Sequence, residues 1–259
     1  MILRSVIRHV RDQNWFAVVL DFFIVVVGVF IGIQVSNWNE SRIERIQEAT
    51  ILERLSIEVQ SLIEIQREEL ADNEARARQV ILLNPVLFGQ EPLRPLTGDE
   101  CYTVTSSHVY LRPTDEIPVL DELQESGRFD LIRDRSIKAR LRDYILLRER
   151  ARGHYREITN ELFRLHSRHP QTLRIDRIRV ERSQSSRWNS LSGEGFHWQS
   201  VCDIAAMRAN QQFLNEFVDN AARRDSQIRF YQQRIDALLA ISEALDPGAG
   251  PAPEHEVGQ

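Results

Sequence analysis

The sequence predicts an all-α protein, an N-terminal transmembrane helix continuing into an elongated antiparallel bundle of three long helices plus a short one. Two observations carry this expectation. Trp15 to Trp38 is an apolar run interrupted only once by a charge, at Asp21, and three later segments repeat apolar residues at alternating steps of three and four. No later run matches the first in length and hydrophobicity, so a single span is expected.

Residues 1–14 read as a cytoplasmic basic amphipathic tail. Ile2, Leu3, Val6, Ile7 and Val10 share one helical face opposite Arg4, Arg8 and Arg11, which suits a helix lying on anionic lipid. The plainer alternative is a solvated basic tail. Residues 15–38 form the transmembrane anchor. At about 1.5 Å per residue, Trp15 and Trp38 stand about 34 Å apart, enough to cross a hydrocarbon core of about 30 Å with an aromatic ring at each interface. The run from Phe16 to Ile33 is too long for a cleaved signal peptide and ends without a small-residue cleavage pattern, so an uncleaved signal anchor is expected. Basic residues slightly favour the N-terminus inside, placing the remainder on the far side of the membrane.

Asp21, Val25, Gly28, Gly32 and Ser36 fall on one stripe of the anchor. Gly28 and Gly32 form a G-x-x-x-G pair that lets two backbones approach, and a carboxylate so placed usually has a partner. The competing reading lets Asp21 reach nearby headgroups.

Residues 39–246 read as one periplasmic helical domain. The first seam is Leu52, Leu55, Val59 and Leu62. The second is Ile137, Leu141, Tyr144, Ala151, Tyr155, Ile158, Leu162 and Leu165, broken at Arg148. The third is Leu214, Phe217, Ala221, Ile228, Tyr231, Ile235, Leu238 and Leu245, interrupted at Arg224 and Ser242. Ser200 and Asp203 resemble a capping box, Pro170 closes the second segment, and Asp246, Pro247 and Gly248 stop the third. Helices of about 35 to 45 residues follow, near 60 Å each, with a shorter one around 119–125. Residues 247–259, rich in Pro, Gly and Glu, are expected to be disordered.

Two long connections remain, 84–114 with a β-like TVTSSHVYL run and 171–199 with Trp188, Phe196, His197 and Trp198 near Gly193 and Gly195. Aromatics among glycines suggest a binding loop; the favoured alternative is that they plug the end of the bundle. Cys101 and Cys202, the only cysteines, either form a disulfide closing a loop of about 100 residues or stand as separate thiols. An up-down-up bundle argues for separation, near 50 Å, unless a connection doubles back.

Chemistry leaves little trace. No nucleotide loop, nucleophile elbow or metal-ligand cluster is recognisable, and no cofactor is implied. His166 and His169 suit a helix C-terminus better than a metal. The arginines from Arg133 to Arg156 alternate with Asp134, Asp143, Glu149 and Glu157, the pattern of a salt-bridged face, an anionic ligand being the alternative. A net charge of −5 disfavours nucleic acid as a partner.

Asp21 followed by VVVGVFIGIQVSNWNE, and the later LDELQESGRFDLIRDRSIKARLRDYILL from Leu120 to Leu147, resemble an uncharacterised bacterial family of single-pass membrane proteins with an N-x-W-N-E-like end to the anchor. The chain departs from that family's usual pattern at Gly32, commonly alanine, and at Tyr144 and Ile145, commonly paired aromatics. The resemblance implies topology and bacterial origin, hence an inner (cytoplasmic) membrane with the soluble domain in the periplasm, without an activity. The expected role is a non-enzymatic scaffold or accessory subunit in contact with lipid, assembling as a homo-oligomer or with another membrane protein. A ligand sensor working through a partner is the alternative.

Overall fold

The computed structural model describes residues 15–179, 193 and 195–246. The basic tail 1–14, Trp188 and the tail from 247 lie outside the described residues, as do the side chains of Trp15 and Asp21.

The fold is all-α with one small hairpin. Helix α1 spans Trp15–Leu87, 73 residues. No proline or glycine occurs between Gly32 and Pro85, so nothing breaks the backbone ladder between the apolar segment and the bundle. Pro85 and Gly89, at φ +78°, end it. Of its last carbonyls, Asn84 accepts from Phe88 N and Pro85 from Gln90 and Glu91 N, while Val86 accepts from Arg208, which also donates to the Glu91 carbonyl just beyond, each at 2.6 Å.

The β-like run 103–111 begins as helix. Helix α2 covers Gly98–Thr105, started by a capping box of Thr97 and Glu100. Its β-branched residues are tolerated because Thr103 and Thr105 donate to the carbonyls of Asp99 and Cys101. Glu100 also receives both guanidinium nitrogens of Arg94; that hydrogen bond, with the Thr97 backbone, lowers its pKa to about 2.

From Ser106 the chain turns back as an extended strap lying along the bundle. Gln66 donates to the Thr114 carbonyl, Tyr144 donates to the Asp115 carbonyl at 2.9 Å, and Glu58 accepts from Val119 N at 2.8 Å. Helix α3 (Pro118–Glu125) and a 3₁₀ turn (Phe129–Leu131) continue the descent until Arg133 meets Glu44 and Glu48. Helix α4, Arg135–Asn160 and capped by Asp134, climbs again. A short α5 (Leu165–Arg168) leads to strands β1 (Leu173–Arg179) and β2 (Phe196–Cys202), antiparallel, with Leu173 opposite Cys202. Helix α6 (Ile204–Ala209, capped by Asp203) and α7 (Gln211–Leu245, capped by Asn210) complete the described fold.

This descent corrects the expected up-down-up order. The strap and α3 use up the first downward pass, so of the long helices α4 runs parallel to α1 and α7 runs antiparallel to both. Helix α4 is also shorter than expected, at 26 residues. It stops at Asn160 because Arg223 donates to the carbonyls of Ile158 and Glu161 and its guanidinium stacks over Phe163 at 4.4 Å. Ser200, expected at a helix start, lies in β2.

Two apolar clusters hold the bundle together. The lower joins Leu55, Val59 and Leu62 to Leu120, Leu141, Tyr144, Leu238 and Ile241; the upper joins Leu83, Val86 and Leu87 to Val104, Leu165, Leu173, Phe213 and Phe217. Between them the interior is polar.

Candidate functional site

The lower part of α1 is long and apolar enough to cross a membrane, with a mean hydropathy of 1.7 over its best window and none of that window buried. Phe22, Val25, Val29 and Phe30 are each about 60% exposed, a continuous apolar surface that water does not tolerate. Gly28, Gly32 and Ser36 lie exposed on one helical face, and a methyl built on either glycine meets nothing within 4 Å. Trp38 is 61% exposed where the apolar run gives way to charge.

At the opposite end Cys101 and Cys202 are bonded, with Cα atoms 5.8 Å apart. The 50 Å separation fails as an objection because the strap reverses the chain and returns the start of α6 to the tip. Of the aromatic loop, Phe196 and His197 are half-buried in β2 and Trp198 is 42% exposed. Phe196 lies beneath the Arg177 guanidinium at 3.8 Å. They stand on the second strand of the hairpin, whose Cys202 is bonded to Cys101 at this end of the bundle.

The structure separates His166 from His169. His169 is buried, and its Nε2 lies 3.0 Å from Glu216, which also receives Arg168 and Gln212. Burial alone would raise the Glu216 pKa; hydrogen bonds from Gln212, His169 and Arg168 outweigh it and bring it below the usual range. His166 instead faces His108, ring centroids 5.6 Å apart. Among the described residues no group of three or more metal-ligating side chains gathers.

Burial, helped by the neighbouring His166 and Arg164, lowers the His108 pKa from 6.5 to about 4. The folded chain therefore refuses a proton that the unfolded chain accepts; stability from neutral His108 is present above pH 6.5 and lost as pH falls towards 4. Urea unfolding should show a larger loss of stability between pH 7 and 4.5 for wild type than for His108→Gln. Equal losses would place the acid sensitivity elsewhere.

The polar interior is built on three buried arginines, two of them at interruptions of the seams. Arg148, 4% exposed, pairs with Asp121 at 2.8 Å. Arg224, 3% exposed, donates to Asn73 Oδ1, Ser107 O and Val109 O. Arg234, 1% exposed, donates through Nε to Gln66 at 3.0 Å and stacks on Tyr231, while its Nη2 has no hydrogen-bond partner. Sequence periodicity exposed Arg148 and Arg224 as breaks; Arg234, Gln66 and Asp115 left no such signal, their neighbours Tyr231 and Ile235 satisfying the seam.

Beside the strap, α4 and α7 enclose a groove of about 280 Å³ walled by Arg112, Asp115, Arg152, Tyr155, Arg156 and Arg234. Asp115 is held by Arg152, through Nε at 3.0 Å and Nη2 at 2.8 Å, and this bond raises the Arg152 pKa. Two larger grooves, of about 480 and 470 Å³, lie at the hairpin base and beside the His108–His166 pair. Comparison with protein-family models, with curated proteins and with solved structures found no match for this chain.

Proposed function

We propose that this chain is a single-pass bacterial inner-membrane protein, N-terminus in the cytoplasm and helical domain in the periplasm, acting as a non-enzymatic scaffold or accessory subunit. It assembles, through the stripe of its membrane helix and the bundle surface, with a second copy or another membrane protein. The observation that carries the reading is the open face at Gly28, Gly32 and Ser36 on a helix that runs unbroken into the folded domain. Without side chains in the way, a second helix can pack on this face, and without a break the contact orients the whole bundle. The Cys101–Cys202 bond supports the periplasmic side, since such bonds persist in oxidising compartments.

Gly28→Ile and Gly32→Ile put branched side chains on the close-approach face. Chemical crosslinking in native membranes should recover several-fold less of the assembled species from the double variant, with the folded domain unchanged. Undiminished crosslinking would remove the stripe from the assembly.

A second reading, a ligand-binding module that signals through a partner, is favoured by one observation, the arginine-lined groove beside the strap.

A further inference from the structure

The groove between the strap, α4 and α7 presents four guanidinium groups against one carboxylate. Their pairing is uneven. Asp115 is committed to Arg152, which Glu149 also approaches at 3.3 Å and Glu116 at 3.9 Å. Arg112 meets Glu116 at 3.4 Å where both are largely exposed to water, a loose contact that little restrains. Arg156 is exposed at the mouth; its carbonyl accepts from the Thr159 hydroxyl, while its guanidinium makes no ion pair or hydrogen bond among the described residues. Arg234 forms the floor.

Arg234 is the decisive group. Its side chain is buried, held by Gln66 Oε1 on one side and the Tyr231 ring at 4.6 Å on another, yet Nη2, closed off from water, has no hydrogen-bond partner. Buried donors of a charged group rarely go unpaired, because the lost hydration is not replaced. The acceptors already present do not serve: Gln66 takes Nε, and Asp115 is taken by Arg152. A fork fixed at Nε with a second nitrogen left free is the form in which arginine receives a carboxylate or phosphate oxygen from outside.

We propose that this groove is a binding site for a small soluble organic anion, gripped through a carboxylate or phosphate group by the guanidinium groups of Arg234 and Arg156, with Arg112 at the rim and Tyr155 as its aromatic wall. At about 280 Å³ it is close to the lower limit of small-molecule sites, with room for a compact metabolite and none for an acyl chain. Lipid headgroups share the chemistry but not the location. Gln66, which holds Arg234, lies about 42 Å along α1 from Trp38 at about 1.5 Å per residue, far beyond the headgroup layer. The site uses no residue of the membrane stripe, so its failure and that of the assembly reading are separable.

The test uses the full-length protein in mild detergent, with citrate and inorganic phosphate as probes at constant ionic strength against a chloride reference. Calorimetric titration and thermal unfolding should show saturable binding and an upward shift in Tm with at least one probe. Arg156→Gln, an exposed side chain with no partner to lose, should leave the ligand-free Tm unchanged and weaken binding at least fivefold. Arg234→Gln should abolish it; if that variant fails to fold, Arg156→Gln with Arg112→Gln serves in its place. Absence of saturable binding with both probes, or equal binding by Arg156→Gln and wild type, overturns the proposal. Binding of short-chain phosphatidylglycerol alone, with citrate and phosphate silent, overturns the soluble anion in favour of a lipid headgroup.

Discussion

Severing the Cys101–Cys202 bond, by Cys→Ser at both positions or by reductant, lowers the stability of the helical domain by about 4 to 5 kcal/mol. The size follows from the loop. The cysteines are 101 residues apart in sequence, and releasing the crosslink returns to the unfolded chain the freedom to separate the strap, α3, α4 and the hairpin from the tip. The loss falls on the upper cluster, where Cys101 itself is 3% exposed beside Val104 and Leu173. Denaturant unfolding of the double serine variant against the oxidised wild type measures it, and a midpoint shift equivalent to less than about 1 kcal/mol contradicts it. In cells, thiol labelling of the denatured protein should find both cysteines blocked before reduction. Free thiols there would contradict the periplasmic placement as well.

Arg224→Ala is the second large effect, a loss of about 3 kcal/mol. Arg224 is the joint at which three segments meet: Asn73 of α1, the strap carbonyls of Ser107 and Val109, and α7 on which it stands. Its guanidinium also faces the Tyr110 ring at 5.4 Å, and the Tyr110 hydroxyl donates to the Asn220 carbonyl at 3.0 Å. Truncation leaves three acceptors without a donor in a buried layer. Burial lowers the Arg224 pKa, but a guanidinium stays charged, so the variant also removes a desolvated cation; that gain is why the net loss is no larger. Arg224→Lys keeps the charge but not the fork and should recover less than half of the loss. The exposed Arg229→Ala, whose partner Asp225 is one helical turn away, should stay within about 0.5 kcal/mol of wild type. Equal urea midpoints for Arg224→Ala and Arg229→Ala would show that the strap is held by other contacts.

The helical character of this chain was legible because it is local. Periods of three and four at Leu52, Leu55, Val59 and Leu62 and at Leu214, Phe217 and Leu238 specify a face whatever that face meets, and those leucines and Phe217 are buried or half-buried as expected. The run 103–111 misled because β-branched threonines carry strand propensity, while the capping box at Thr97 and Glu100 and threonine bonds to the preceding turn decided for helix up to Thr105. The aromatic loop was half legible: the glycines at 193 and 195, with φ +88° and +76°, marked the approach to β2, but the hairpin itself depends on pairing across a long connection.

By itself, then, the sequence determined the apolar segment long enough to span a bilayer, the all-α class, and the seams, since each is written in spacing and transfer energy along one stretch of chain. The tertiary structure alone decided the direction of α4, the meeting of Cys101 with Cys202, the parting of His166 from His169, and the gathering of Arg112, Arg152, Arg156 and Arg234 around one groove. All four depend on the strap at 106–117 lying down along the bundle. That path is set by buried polar bonds to Gln66, Tyr144, Arg152 and Arg224, between residues 29 to 117 positions apart, and no local periodicity records them.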